Sequence, residues 1–96
     1  MNKISSLQGH YARLRQRFLS NGIDGFLHYE VFELLLKLAD NRGDQKITAK
    51  LLLNKFKSLR GVLEAKPEQL KKIKGIGDCN IFGLTLVQSV ARRYLK

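Results

Sequence analysis

Between Tyr29 and Ala39 only Glu30, Glu33 and Lys37 are polar; the rest of the segment is aromatic or aliphatic. Those three polar residues fall at i, i+3 and i+7, which on an α-helix is one narrow wet stripe. A helix with so much apolar circumference has to be covered on most sides. The segment 29–39 is therefore expected to be the centre of a core, with the rest of the chain wrapped about it.

The flanking segments supply suitable partners. Leu7, Tyr11, Leu14 and Phe18 recur at helical spacing along 9–19, and Ser20-Asn21-Gly22 is a helix stop. Arg13, Arg15 and Arg17 lie mainly off that stripe and read as a solvated face, the alternative being contact with a second stretch of phosphates. Asp40-Asn41-Arg42-Gly43-Asp44 is a loop signal, after which 47–56 turns Ala49, Leu52, Leu53 and Phe56 inward. Ser58 is placed to cap a short helix over 59–64. Pro67 followed by Glu68 opens another over 67–73, because proline suits the first helical position and an acid suits the positive helix end. The last helix, 78–94, carries Ile81, Leu84, Val87, Val90, Ala91 and Tyr94 as its apolar stripe. No segment alternates with period two. The expectation is an all-α fold of about five short helices in one domain spanning 1–96, with a weak internal parallel between the pair 29–56 and the pair 67–95.

The charge is uneven. Residues 1–45 hold six basic and five acidic side chains, whereas 46–96 hold twelve and three, so nearly all of the net +10 sits in the second half. That asymmetry points to a polyanionic partner, although a solubilising face has the same composition. One cysteine, Cys79, allows no internal disulfide. The first residues contain no apolar signal-peptide core, and nothing approaches the length of a membrane span. A cytoplasmic protein without membrane contact is expected.

The segment LKKIKGIGDCNIFGL carries the chemistry. Gly75 and Gly77 permit torsions and approaches that a Cβ would forbid. Ile76 between them pins the turn to the core. Backbone N–H groups at the start of the following helix then face outward and, with the helix dipole, suit a phosphate oxygen. Lys71, Lys72 and Lys74 add attraction for the same anion. A plain helix stop and restart would also use Gly-x-Gly; three lysines beside the turn favour the anion site.

Leu70-x-x-Ile73-Lys74-Gly75-Ile76-Gly77 resembles the helix-hairpin-helix motif of domains that bind DNA without sequence preference. GHYARLRQRFLSNGIDGF, YEVFELLLKLA, AKLLLNKFKSLRGVLEA and LKKIKGIG together resemble the N-terminal domain of RadC-type DNA repair proteins. The resemblance runs from about Gly9 to Leu95. It implies DNA-phosphate contacts from Lys72, Lys74, Gly75, Ile76, Gly77 and Asp78, with Arg92 and Arg93 adding charge at the end of the last helix. The carbonyls of Lys71, Ile73 and Ile76 match positions that hold a monovalent cation in some helix-hairpin-helix proteins; no other cofactor is implied. The pair 29–56 looks like a degenerate copy that serves packing. Three positions depart from the pattern. Ile81 replaces a common alanine, Asp78 puts a negative charge beside the phosphate site, and Gly83 inside the last helix implies a close helix contact there. RadC-type proteins continue into a metal-dependent domain with a His-x-His and Asp pattern, which this sequence lacks. The resemblance thus implies the N-terminal domain alone, or a stand-alone version.

Other residues suggest no chemistry. His10 and His28 have no metal-ligand spacing with Cys79 and read as surface or cap residues, while Tyr11, Tyr29 and Tyr94 fall on apolar faces. A helix-hairpin-helix glycosylase would need an aspartate well downstream of the turn, yet Asp78 is the only acid after Gly77 and no lysine follows before Lys96. A non-enzymatic module with DNA as partner is expected. The alternative is an interaction domain that orients an attached catalytic domain or mediates self-association.

Overall fold

In the computed structural model the described residues are 5–40 and 44–96, with the side chains of 5–8 left aside. The loop residues Asn41, Arg42 and Gly43 and the Leu7 side chain lie outside this description. The described residues form only helices: α1 (Ser5–Asn21), α2 (His28–Ala39), α3 (Lys46–Phe56), α4 (Leu59–Leu63), α5 (Pro67–Leu70) and α6 (Asp78–Leu95). The fold is all-α, with six helices where about five were expected.

α2 is the hub and packs against α1, α3 and α6. Phe32 and Leu36 on α2 are fully buried with Ala49 and Leu52 of α3 and Val62 of α4; Leu70 of α5 and Leu84 of α6 complete the cluster. Fully burying a Leu, Val or Phe side chain stabilises by about 1.5–3 kcal/mol, and Ala49 adds less. Gly83 lets α6 close on α2, since a Cβ there would lie 2.7 Å from the Ala39 Cβ.

Local signals set most boundaries. α1 ends at Asn21 because Gly22 takes φ +81° and returns its N–H to the Phe18 carbonyl at 2.8 Å. Ser58 Oγ accepts the Gly61 N–H at 3.0 Å and caps α4. Pro67 opens α5, which stops at Leu70 and not at Ile73. Beyond it Lys72 and Ile73 return their N–H groups to Gln69 and Leu70, three residues back, so the chain tightens into turns.

Two packing expectations are corrected. The polar stripe of α2 is not wet: α1 docks there. Glu33 is 4% exposed and bonded to His10 Nε2 at 2.8 Å, while Glu30 takes the Arg17 guanidinium at 2.7 Å. α1 reaches α2 through these polar partners beside its buried Leu14, and the apolar Leu38 is 76% exposed. The stripe of α6 is covered only over its first half; Val90 and Tyr94 are 57% and 85% exposed, so Tyr94 is no core residue.

Candidate nucleic-acid interface

The turn between α5 and α6 is built against α3. Gly75 has φ +95°, and its Cα backs onto the buried Thr48 side chain so closely that a Cβ would collide with Oγ1. Ile76 is half-buried against the core and returns its N–H to the Ile73 carbonyl at 3.1 Å. The turn is therefore fixed from both sides, by the core under Ile76 and by α3 behind Gly75.

On the outer side, Lys71, Lys72, Lys74, Gly75, Gly77, Asp78 and Cys79 are all exposed. The Gly75 N–H donates to no acceptor among the described residues. The Gly77 N–H, expected to face outward for a phosphate, is instead donated to Asn80 Oδ1 at 2.9 Å. Asn80 stands three residues into α6, where a side-chain acceptor can reach back to the residue before the helix. It is 2% exposed, and its Nδ2 is buried without a partner. The spacing Gly77-x-x-Asn80 was the signal that could have identified this cap. Asp78 lies in the first turn of α6, where the helix dipole favours an acid.

Arg92 and Arg93 are not gathered here. They stand in the last turn of α6, about 22 Å along the axis from the turn at 1.5 Å per residue. One phosphate cannot touch both ends.

The carbonyls of Lys71 and Ile76 accept no backbone N–H outside the helices, while that of Ile73 takes the Ile76 N–H. Neutral carbonyl oxygens are the class of donor that a hard cation takes. Among the described residues no three His, Cys, Asp or Glu side chains cluster as a metal site, and no helix is long and apolar enough to cross a membrane.

Comparison with known proteins finds relatives that include two UPF0758 proteins. The chain is 50% identical over 80 residues to UPF0758 protein FN0909 of Fusobacterium nucleatum, covering 83% of this chain and 34% of that protein. It is 37% identical over 89 residues to UPF0758 protein SPO0054 of Ruegeria pomeroyi, covering 93% of this chain and 40% of that protein. The chain thus spans between a third and two fifths of the length of these curated relatives. No protein-family model matches it, and no solved structure does.

Proposed function

We propose that this chain binds DNA through its phosphate backbone at the Gly75–Gly77 turn, as the DNA-binding module of a RadC-type protein and without catalytic chemistry of its own. The observation that carries this reading is the Gly75 N–H: it has no acceptor among the described residues, stands beside the start of an eighteen-residue helix, and is flanked by exposed Lys71, Lys72 and Lys74. A phosphate oxygen there would accept a charge-assisted hydrogen bond and gain from the helix dipole. A monovalent cation held by the carbonyls of Lys71, Ile73 and Ile76 would supply one more positive charge toward the same phosphate. The UPF0758 relatives support the RadC-type reading.

Backbone amides and lysines meet phosphates and not base edges, so unrelated sequences should bind alike and binding should weaken steeply with salt. The test is a titration of fluorescent duplex, forked and single-stranded DNA at several salt concentrations. The variant for it combines Lys71→Ala, Lys72→Ala and Lys74→Ala, which leaves the packing of Gly75 untouched. The expected result is salt-sensitive binding whose logarithmic slope falls by about 0.9 for each phosphate contact removed. Absence of binding near physiological salt, or an unchanged slope in the triple variant, overturns the proposal.

A further inference from the structure

Two apolar hollows meet across α2. One, of about 470 Å³, lies between α2 and α6, and the other, of about 390 Å³, between α1 and α2. Leu35 and Leu38 line both, so the hollows adjoin across these two side chains and together make one broad apolar face, the α1–α2–α6 trough. Phe18 and Leu19 form its α1 wall and Phe82 and Leu86 its α6 wall. Phe18, Leu19, Leu38, Phe82 and Leu86 are between 42% and 76% exposed. At roughly 150–200 Å² for each fully exposed large side chain, this is on the order of 450–600 Å² of apolar surface. That is at the upper end for a monomer's largest patch and approaches the roughly 800 Å² that each partner buries in a standard interface.

The charges at the trough's margins indicate what covers it. Arg15 is the only charged residue lining the α1 side, and Asp78 the only one lining the α6 side. Neither forms an ion pair among the described residues: Arg15 lies over the Tyr11 ring at 5.6 Å, and Asp78 has no cationic partner there. The trough as a whole is neutral although the chain carries +10, so it does not call for an acidic partner. A surface with one positive and one negative end across an apolar centre is complementary to itself. A two-fold axis through Leu38 would set Arg15 of each copy against Asp78 of the other, the pairing an isologous interface requires.

We infer that the α1–α2–α6 trough is the interface of a symmetric homodimer, sealed by apolar contact across Leu38 and Phe82 and oriented by reciprocal Arg15–Asp78 pairs. The inference stands without the DNA reading, although the α6 end of the trough, Asp78, borders the lysine-bearing turn; sedimentation in the absence of DNA therefore tests it separately. Sedimentation of the chain from about 1 µM to about 1 mM should show concentration-dependent dimerisation. The double variant Leu38→Glu, Phe82→Glu alters only exposed side chains; with circular dichroism unchanged, it should stay monomeric throughout. Arg15→Asp and Asp78→Arg should each weaken the dimer several-fold, and the two together should restore it. A wild type that stays monomeric at every concentration overturns the inference. So does a Leu38→Glu, Phe82→Glu variant that still dimerises, or a charge reversal on both residues that does no better than either single change.

Discussion

Gly75 and Thr48 occupy one another's space: the side chain of Thr48 fills the position where any other residue at 75 would carry its Cβ. Through this contact the α5–α6 turn rests on α3, and the backbone at Gly75 is also left-handed, with φ +95°.

Gly75→Ala should therefore destabilise on two counts. A non-glycine residue held at positive φ costs about 1–3 kcal/mol, and the collision with Oγ1 adds to it. Thr48→Ala removes the obstacle but not the torsional strain, so the cost of Gly75→Ala should shrink without vanishing in that background. Gly77→Ala is the contrast: its φ of −114° is ordinary and a Cβ would meet only Asn80 Oδ1 at 3.9 Å. Its effect should stay within about 0.5 kcal/mol. Urea denaturation of the four variants checks both statements.

Lys57 closes α3 in the left-handed conformation at φ 73°, with its N–H returned to the Leu53 carbonyl at 2.7 Å. A side chain there costs about 1–2 kcal/mol relative to glycine, partly offset by the freedom that glycine gives the unfolded chain. Lys57→Gly should raise stability by about 0.5–1 kcal/mol, and Lys57→Val should lower it. A melting temperature that falls for Lys57→Gly would contradict this account.

The helices and their caps were legible because they rest on neighbours in sequence: Gly22 after α1, Ser58 before α4, Pro67 at the start of α5. The burial of Glu33 and the exposure of Leu38 were not. Periodicity shows that α2 has a polar stripe and a broad apolar face, but not which of them a neighbouring helix will choose. Here α1 brings His10 and Arg17 to the charged stripe beside its buried Leu14, and part of the apolar face stays open. The candidate site divides in the same way. The exposed lysines and the special backbone at Gly75 follow from local sequence, whereas Thr48 behind the turn is a tertiary contact twenty-seven residues upstream. Asn80 lay closer to hand, three residues from the glycine whose amide it occupies.

His10 and Glu33 supply the buried half of the α1–α2 contact. The Glu33 carboxylate is 4% exposed and has His10 Nε2 at 2.8 and 3.3 Å from its two oxygens. His10→Ala strands a buried acceptor and should cost about 1–3 kcal/mol. Glu33→Gln keeps an oxygen for the imidazole N–H and should cost less. Equal losses for the two variants, measured by denaturant unfolding, would show that burial of the carboxylate and not its partner governs the contact.

Glu30 makes the other half and should give the protein a defined acid sensitivity. Burial by itself would raise its pKa, but the Arg17 hydrogen bond, the Leu27 N–H at 2.9 Å and the charges of Arg17 and His10 outweigh it. The carboxyl titrates below its ordinary 4.5. A group whose folded pKa is depressed binds protons more readily unfolded, so its stabilising contribution is complete above the unfolded value and is lost as pH falls through the folded one. From neutral pH down to about 4.5, Glu30 should leave stability unchanged; below that it should withdraw support from the start of α2 and from the Arg17 contact. Arg17 is 43% exposed, so solvent screening keeps the effect modest. Unfolding free energies from pH 7 to pH 3 should accordingly fall less steeply in Glu30→Gln than in the wild type, and only below about pH 4.5. Parallel curves would mean that the Arg17–Glu30 pair contributes nothing to folding.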